Sequence, residues 1–354
     1  MGTTTAITSA SVSLFRLKSF ELAIIDEASQ ILEPQLLGLL SATKDANITN
    51  TPLFRVALLR QTGEPGGGEE SIEDGGEASI QRFVLIGDHK QLPAVVQQSE
   101  EESKVTEQCL IDIGLTNCRN SLFERLYNKT LSNSPLKGED SRPLREGEGR
   151  VFFLSKQGRM HAEIAEFPNN AFYEGKLGVV GLPHQLETIE GRRIEFIPVP
   201  KPDETESDKV NVNEARVIAR EVVKAIKEAG ENFDPLKTVG VIVPYRNQIA
   251  AVRQAINEEV NEEYSSLNQI TIDTVERYQG SQRDVIIYGF TVQYQYQLKF
   301  LSSATFTDPV SGALIDRRLN VALTRAKKKE IIVGNPDILC HNEIFKNLIM
   351  RYAL

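Results

Sequence analysis

Two apolar runs, each broken off abruptly by acidic or polar residues, constrain this chain more than anything else in it. Ile24-Ile25-Asp26-Glu27-Ala28-Ser29-Gln30 is followed about sixty residues later by Phe83-Val84-Leu85-Ile86-Gly87-Asp88-His89-Lys90-Gln91-Leu92-Pro93. Such a run is the pattern of a parallel strand covered on both faces, whose carboxyl end opens into a crevice. Residues 21–25 and 82–86 are therefore expected to be buried strands. An Asp-Glu pair at that end suits a nucleoside triphosphate site. Asp26 can hold Mg²⁺, directly or through water, and Glu27 can orient or deprotonate the attacking water. Asp88 and Gln91 supply a second polar strand end, suited to sensing a terminal phosphate.

Between these strands, Glu33–Leu40 reads as a helix with Pro34 in its first turn. Residues 61–81 mix Gly63, Gly66, Gly67, Gly68, Gly75 and Gly76 with six acidic side chains, which predicts a solvated surface insertion. An amphipathic helix is expected over 121–127. Ser132, Asn133, Pro135, Gly138, Pro143, Gly147 and Gly149 mark a connection, after which an apolar strand over 151–154 opens the second half. There, Asn213 is a candidate N-cap for a helix whose Ala215, Ile218, Val222, Val223 and Ile226 recur at helical spacing. A strand over 239–243 and a helix lined by Ile249, Val252 and Ile256 come next. Strands over 270–275 and 284–288, a helix over 319–326 and a strand over 330–333 complete the pattern. Strand and helix alternate, so both halves are expected to be α/β with parallel sheets.

A chain of 354 residues is long enough for two ordinary domains, and 40% hydrophobic with 25% charged residues suits a globular fold. The expected division is residues 1–148 and 149–354. Cys109, Cys118 and Cys340 lie far apart and lack metal-ligand spacing, which predicts reduced thiols in the cytoplasm. No stretch is apolar for long enough to span a membrane. A net charge of −9 argues against coating nucleic acid by bulk electrostatics, but leaves room for a local basic channel.

Four further strings fall in the second half. They are Gln157-Gly158-Arg159-Met160-His161, Val243-Pro244-Tyr245-Arg246-Asn247-Gln248, Thr274-Val275-Glu276-Arg277-Tyr278-Gln279-Gly280, and Arg318-Leu319-Asn320-Val321-Ala322-Leu323-Thr324-Arg325-Ala326-Lys327. In this order and spacing, the strings resemble the superfamily 1 helicases, in the branch of the nonsense-mediated-decay RNA helicase and the replication helicase-nucleases. The resemblance runs from about Thr3 to about Asn335. It implies two RecA-like domains, the first one incomplete here, with ATP and Mg²⁺ between them and single-stranded nucleic acid crossing both.

Position by position, the resemblance makes Asp26 the Mg²⁺ partner and Glu27 the catalytic base. Gly87, Asp88 and Gln91 match the motif that couples the γ-phosphate to the strand-binding surface. Arg159 and Arg325 match arginines that reach the terminal phosphate and neutralise charge as it develops in phosphoryl transfer. Tyr245 matches an adenine-stacking tyrosine. Thr274 and Gly280 match a motif that contacts the nucleic-acid backbone and the nucleotide. Gln282 stands where relatives often carry Glu against the ribose or the metal region, so it keeps the hydrogen-bonding shape without the charge. Thr3, Thr4 and Thr5 stand near a strand-contacting threonine segment. His161 falls at a structural histidine, and His89, His184 and His341 carry no partner signal. Phe172 and Tyr173 are expected to pack on the sheet.

One departure is large: no G-x-x-x-x-G-K-[ST] string is present, and Gly66 to Gly68 lead into acid instead. The chain is therefore expected to be the carboxyl-terminal part of a longer helicase, binding ATP weakly and hydrolysing it negligibly alone. DNA is expected over RNA, with 5′ to 3′ movement. The rival expectation is a RecA-like binding module for nucleic acid or protein that does no catalysis. A fused nuclease finds no carboxylate cluster to support it.

Overall fold

A computed structural model describes residues 20–40, 80–132, 151–204, 207–260 and 265–353. Thr3 to Thr5 and nearly all of the acidic insertion lie outside these. Two compact units result. The first holds the described residues up to His89 and from Pro93 to Val151; the second holds Lys90–Leu92 and the described residues from Phe152 onward.

In the first unit, β1 (Phe20–Ile25) and β2 (Ile80–Leu85) pair in parallel, with Phe20 opposite Ile80 and Ile25 opposite Leu85. Helices α1 (Glu33–Leu40) and α2 (Leu122–Ser132) accompany them. Ile25, Ala28, Ile31, Leu36, Leu39, Ile80 and Leu122 form one small core. The parallel pairing agrees with the sequence pattern, but the expected burial does not. Leu22 is 48%, Ile24 66%, Phe83 44% and Val84 45% exposed. A strand is buried on both faces only when neighbours flank it and layers cover both sides. Among the described residues this sheet has two strands, so each is an edge.

In the second unit, β3 (Lys156–Gln157) and β4 (Gly178–Val179) make a short parallel pair. The main sheet uses β5 (Ile194–Pro198), β6 (Val239–Ile242), β7 (Thr271–Asp273), β8 (Arg283–Gly289) and β11 (Ala326–Gly334). Its order is β5-β11-β8-β6-β7, and every pairing is parallel. A hairpin of β9 (Thr305–Thr307) and β10 (Leu314–Asp316) stands outside it. Odd and even positions of the strands feed two cores. Val239, Val241, Ile287, Ile331 and Val333 meet α4 (Val212–Ala229) and α5 (Arg246–Glu259) through Ala215, Ile218, Val222, Val252 and Ile256. Ile242, Ile286, Tyr288 and Ile332 share the other core with Phe172, Tyr173, Phe290, Leu319, Phe345 and Leu348. All four residues of β6 are buried, as a central parallel strand should be.

Three local expectations need correction. Residues 151–154 form no strand, and Phe152, Phe153 and Leu154 are exposed. An apolar run becomes a strand only where a neighbour accepts its hydrogen bonds. The N-cap of α4 is Asn211, whose side chain accepts from the Glu214 amide; Asn213 is the second residue of the helix. Asn211 is selected because its extended backbone aims the side chain back at the first turn. The helix expected over 319–326 is α6 (Arg317–Leu323), and Ala326 already begins β11.

Candidate functional site

The carboxylates of the first unit sit where β1 and β2 run out. Glu27 has φ 52, a left-handed conformation uncommon outside glycine. Such strain costs about 1–3 kcal/mol and persists only where the surroundings enforce it. Here the enforcing contacts are visible. The Glu27 amide donates to Asp26 Oδ1 at 2.9 Å, and Gln30 Nε2 donates to Glu27 Oε2 at 2.5 Å. The Ala28 amide donates to the Ile86 carbonyl at 2.8 Å, and the Asp88 amide to Ser29 Oγ at 3.2 Å. Gly87 permits that approach, since a Cβ there would lie 2.8 Å from the Ser29 nitrogen. Asp26, Glu27 and Asp88 thus occupy one end of one sheet, with Asp26 and Glu27 exposed.

In the second unit, residues from four separate strings meet near the amino ends of β8 and β11. Arg159 donates through Nε to Gln282 Oε1 at 3.1 Å and through Nη1 to the Thr324 carbonyl at 3.1 Å. Arg325 donates through Nη2 to Gln91 Oε1 and to Thr324 Oγ1, each at 3.0 Å, and through Nε to the Val321 carbonyl at 2.9 Å. Arg325 is only 1% exposed, whereas Arg159 is half-buried and Gln282 exposed. The arrangement sets one half-buried guanidinium beside a second that is buried and hydrogen-bonded.

Buried amides shape the turn that presents Arg159. Gln157 Oε1 accepts from the amides of Arg159 and Met160, and Gln185 Nε2 donates to the carbonyls of Gln157 and Met160. His184 Nε2 lies 2.8 Å from the Arg159 carbonyl. His161 caps helix α3 (Ala162–Phe172), its ring accepting from the Glu163 amide, and burial holds its pKa down. A structural histidine is what that makes. His184, Gln185 and Thr324 carry no signal in the sequence because the contacts that place them here join a side chain to a backbone carbonyl distant in the chain. Glu330 escaped it as well. It is fully buried on β11, neither oxygen has a hydrogen-bond partner, and burial pushes its carboxyl well up against the lowering influence of Arg325.

Tyr245 and Thr274 are not brought to this cluster. They follow the carboxyl ends of β6 and β7, while Gln282 and Arg325 precede the amino ends of β8 and β11. Ile242 lies opposite Tyr288, five residues beyond Arg283. At about 3.3 Å per residue this separates the two ends by roughly 17 Å. The parallel register thus sets Tyr245 and the arginines at opposite ends of the sheet. The Tyr245 ring instead stacks on Phe300 with centroids 5.3 Å apart, and its hydroxyl accepts from Gln297 at 3.3 Å. Asp208, Lys209, Arg246, Tyr296 and Phe300 share its cleft. Thr274 caps the short helix Val275–Tyr278, and Gly280 turns the chain back toward β8 at φ 80.

Among the described residues no cluster of three or more His, Cys, Asp or Glu is placed to hold a metal. Magnesium needs none, because it binds through one or two carboxylates together with substrate phosphates. Exposed Asp26 beside Glu27 fits that mode, and the guanidiniums fit phosphate.

A family model described as an AAA domain matches residues 118–337. The Regulator of nonsense transcripts 1 homolog of Neurospora crassa is 27% identical over 285 residues, covering 77% of this chain and 22% of that protein. The DNA polymerase alpha-associated DNA helicase A of Saccharomyces cerevisiae is 24% identical over 350 residues, covering 93% and 40%. The DNA replication ATP-dependent helicase/nuclease DNA2 of Bos taurus is 27% identical over 356 residues, covering 91% and 25%. The chain therefore spans between 22% and 40% of the length of these three relatives. No helix among the described residues is long and apolar enough to cross a membrane.

Proposed function

This chain belongs to the AAA-domain family and, with it, to the superfamily 1 helicases of the branch that includes the regulators of nonsense transcripts, and from that premise we propose that it is motor machinery coupling ATP hydrolysis to movement on single-stranded nucleic acid. One observation carries the reading. Arg159, Gln282, Arg325 and Gln91, drawn from four strings spread over more than two hundred residues, meet around Thr324. A guanidinium pair with amide neighbours is what terminal-phosphate recognition requires, because planar donors neutralise charge spread over phosphoryl oxygens.

In this reading residues 1–148 are a partial RecA-like domain and 149–354 a second one. Asp26 would hold Mg²⁺, which would neutralise phosphate charge as it develops in the reaction. Glu27, fixed by Gln30 and its own strained backbone, orients the attacking water and accepts its proton. Asp88 lies beside that carboxylate pair. Arg159 approaches the terminal phosphate first, and Gln282 keeps its guanidinium in plane. Arg325, buried and donating to Gln91, reports phosphate engagement to that glutamine. Gly280 supplies the turn that sets Gln282 in place. Thr274 faces the nucleic-acid backbone. Tyr245, at the same strand ends as Thr274, offers its ring face for stacking on the adenine. DNA is preferred over RNA, since two of the three relatives carry DNA in their names. Movement is 5′ to 3′ by family resemblance, and the exposed unbridged cysteines suit work in the cytoplasm.

The sequence has no G-x-x-x-x-G-K-[ST] string, so hydrolysis by the chain alone is expected to be negligible. The test joins a relative's upstream phosphate-loop segment to this chain and measures ATP hydrolysis with and without single-stranded DNA or RNA. Stimulated turnover that falls at least about a hundredfold in Glu27→Gln is expected. Turnover that survives Glu27→Gln removes Glu27 from its role; nucleic-acid binding without any turnover favours the module that only binds.

A further inference from the structure

Lys90 is a buried lysine, and its surroundings give it a purpose beyond packing. Its side chain is 8% exposed. Its ammonium donates to the Phe172 carbonyl at 2.8 Å, lies 3.5 Å from Asp308 Oδ2 and 3.5 Å from Glu174 Oε1, and stands 5.7 Å from the centre of the Tyr173 ring. A buried ammonium is tolerated only when it is paired and its donors are used. Asp308 is the deeply buried partner, at 1% exposure, against a Glu174 side chain that is 37% exposed.

Asp308 follows β9 and opens the turn of the β9–β10 hairpin. Ser311 donates to Asp308 Oδ2 through its hydroxyl at 2.5 Å and its amide at 3.2 Å. The Asp308 amide donates to Ala313 at 2.9 Å. Its carboxylate is therefore oriented by the hairpin itself. The hairpin runs directly into α6, where Asp316 caps the helix and Arg317 lies over the Phe306 ring at 3.9 Å. From α6, Asn320 donates to the Lys90 carbonyl at 2.8 Å and to the Tyr173 hydroxyl at 2.9 Å. Gln279 donates to the Leu92 carbonyl at 3.2 Å, and Leu92 is buried in the same core. The tripeptide Lys90-Gln91-Leu92 is thus gripped on both sides of Gln91. The residue left between the two grips is the one whose Oε1 accepts from Arg325.

We propose that the β9–β10 hairpin is a positioning clamp: Asp308 holds Lys90, and Lys90 seats Gln91 on Arg325. Lys90, Asp308 and Ser311 are then positioning residues for the phosphate-sensing pair. What the contact means chemically rests on the nucleotide reading of the second-unit cluster; the clamp itself does not.

The test is a triple-mutant box on the full chain without nucleotide. Coupling between Gln91→Ala and Arg325→Ala is measured from equilibrium unfolding of the second unit, first in the wild-type background and then with Asp308→Asn. In the wild type the double variant should be at least about fivefold more stable, as a folding equilibrium constant, than the two single effects predict. With Asp308→Asn that coupling should shrink to less than about twofold. General destabilisation lowers all four corners alike and leaves coupling unchanged, so loss of coupling separates positioning from mere support. If Asp308→Asn unfolds the unit, Ser311→Ala, at the hairpin turn, must lower the coupling in the same direction. Coupling that persists in whichever of these backgrounds remains folded overturns the clamp. Because no nucleotide enters, that result is distinct from a failed hydrolysis assay.

Discussion

The two units solve the problem of supporting a polar site in different ways. The second holds its guanidiniums on a five-stranded parallel sheet with a core on each face. Among the described residues, the first holds its carboxylates on two parallel strands with one core of seven buried residues, and several of its apolar strand positions face solvent. A strained acidic turn needs rigid support, and the first unit draws part of that support from charge. Glu33, 2% exposed on α1, accepts from Arg125 Nε at 2.8 Å, and Arg125 Nη1 donates to the Ile113 carbonyl at 2.9 Å. An ion pair there ties α1 to α2, where the second unit rests mainly on the apolar cores on either face of its sheet.

The largest effects should come from removing each unit's own form of support. Arg125→Ala leaves Glu33 buried and unpaired, which should destabilise the first unit by about 3–5 kcal/mol. Phe290 is fully buried, with Tyr288 and Phe345 rings 4.7 and 5.1 Å away, and Phe290→Ala should cost the second unit about 3–5 kcal/mol. Hydrogen exchange in β1 and β2 against β6 and β8 reads the two losses separately. If Arg125→Ala loosens the first unit no more than an ordinary surface change, its reliance on charge is wrong.

A middle-sized effect should distinguish the units by pH. Glu214 caps no helix and faces no solvent; it is buried in the second unit with Oε1 accepting from the Thr291 amide at 2.7 Å and hydroxyl at 2.9 Å. Burial pushes its carboxyl up to about 8, against the lowering effect of those two bonds. Thr291 itself sits at φ 49, so the contact holds a strained residue at the end of β8. A carboxyl raised in the folded state binds its proton there more tightly than in the unfolded chain. Its stabilisation is present at low pH and is lost as pH climbs from about 4.5 through about 8. Glu330 is pushed in the same direction. Denaturant unfolding of the second unit should therefore weaken from pH 5 to pH 8, and Glu214→Gln should remove on the order of 1–4 kcal/mol of that change. A slope identical in Glu214→Gln would show that the carboxyl titrates elsewhere.

The contrast also explains what could be seen in the sequence. Val239, Val241, Ile286, Ile287, Ile331 and Ile332 announce strands by composition, and their sheet buries them as that composition requires. The apolar face of α5, with Val252 and Ile256 buried and Ile249 partly so, was legible because helical spacing is local. Ile24, Phe83 and Val84 carry the same signal and are exposed, because burial depends on neighbours that no local window contains. The site divides likewise. Arg159, Gln282 and Arg325 are identified by their strings, and their meeting around Thr324 is a property of strand order. The separation of Tyr245 from them is a property of register. Lys90 and Asp308, 218 residues apart, carry no mutual signal at all.

The smallest expected effect sharpens the comparison most. Ile24 sits in an apolar run next to Asp26, and by sequence it is a core residue; an Ile-to-Ala change in a packed core typically costs about 2–5 kcal/mol. In the structure it is 66% exposed, so the apolar area that Ile24→Ala returns to water is small. The change should cost the first unit under about 1 kcal/mol, most of it from lost strand preference. Ile25, one residue on, is 6% exposed and in the core, and Ile25→Ala should cost the ordinary core amount. The two substitutions differ in nothing but the face of β1 they occupy. Equal and large losses would mean that the outer face of this sheet is covered in solution, and the first unit would then resemble the second far more closely than its exposed strands imply.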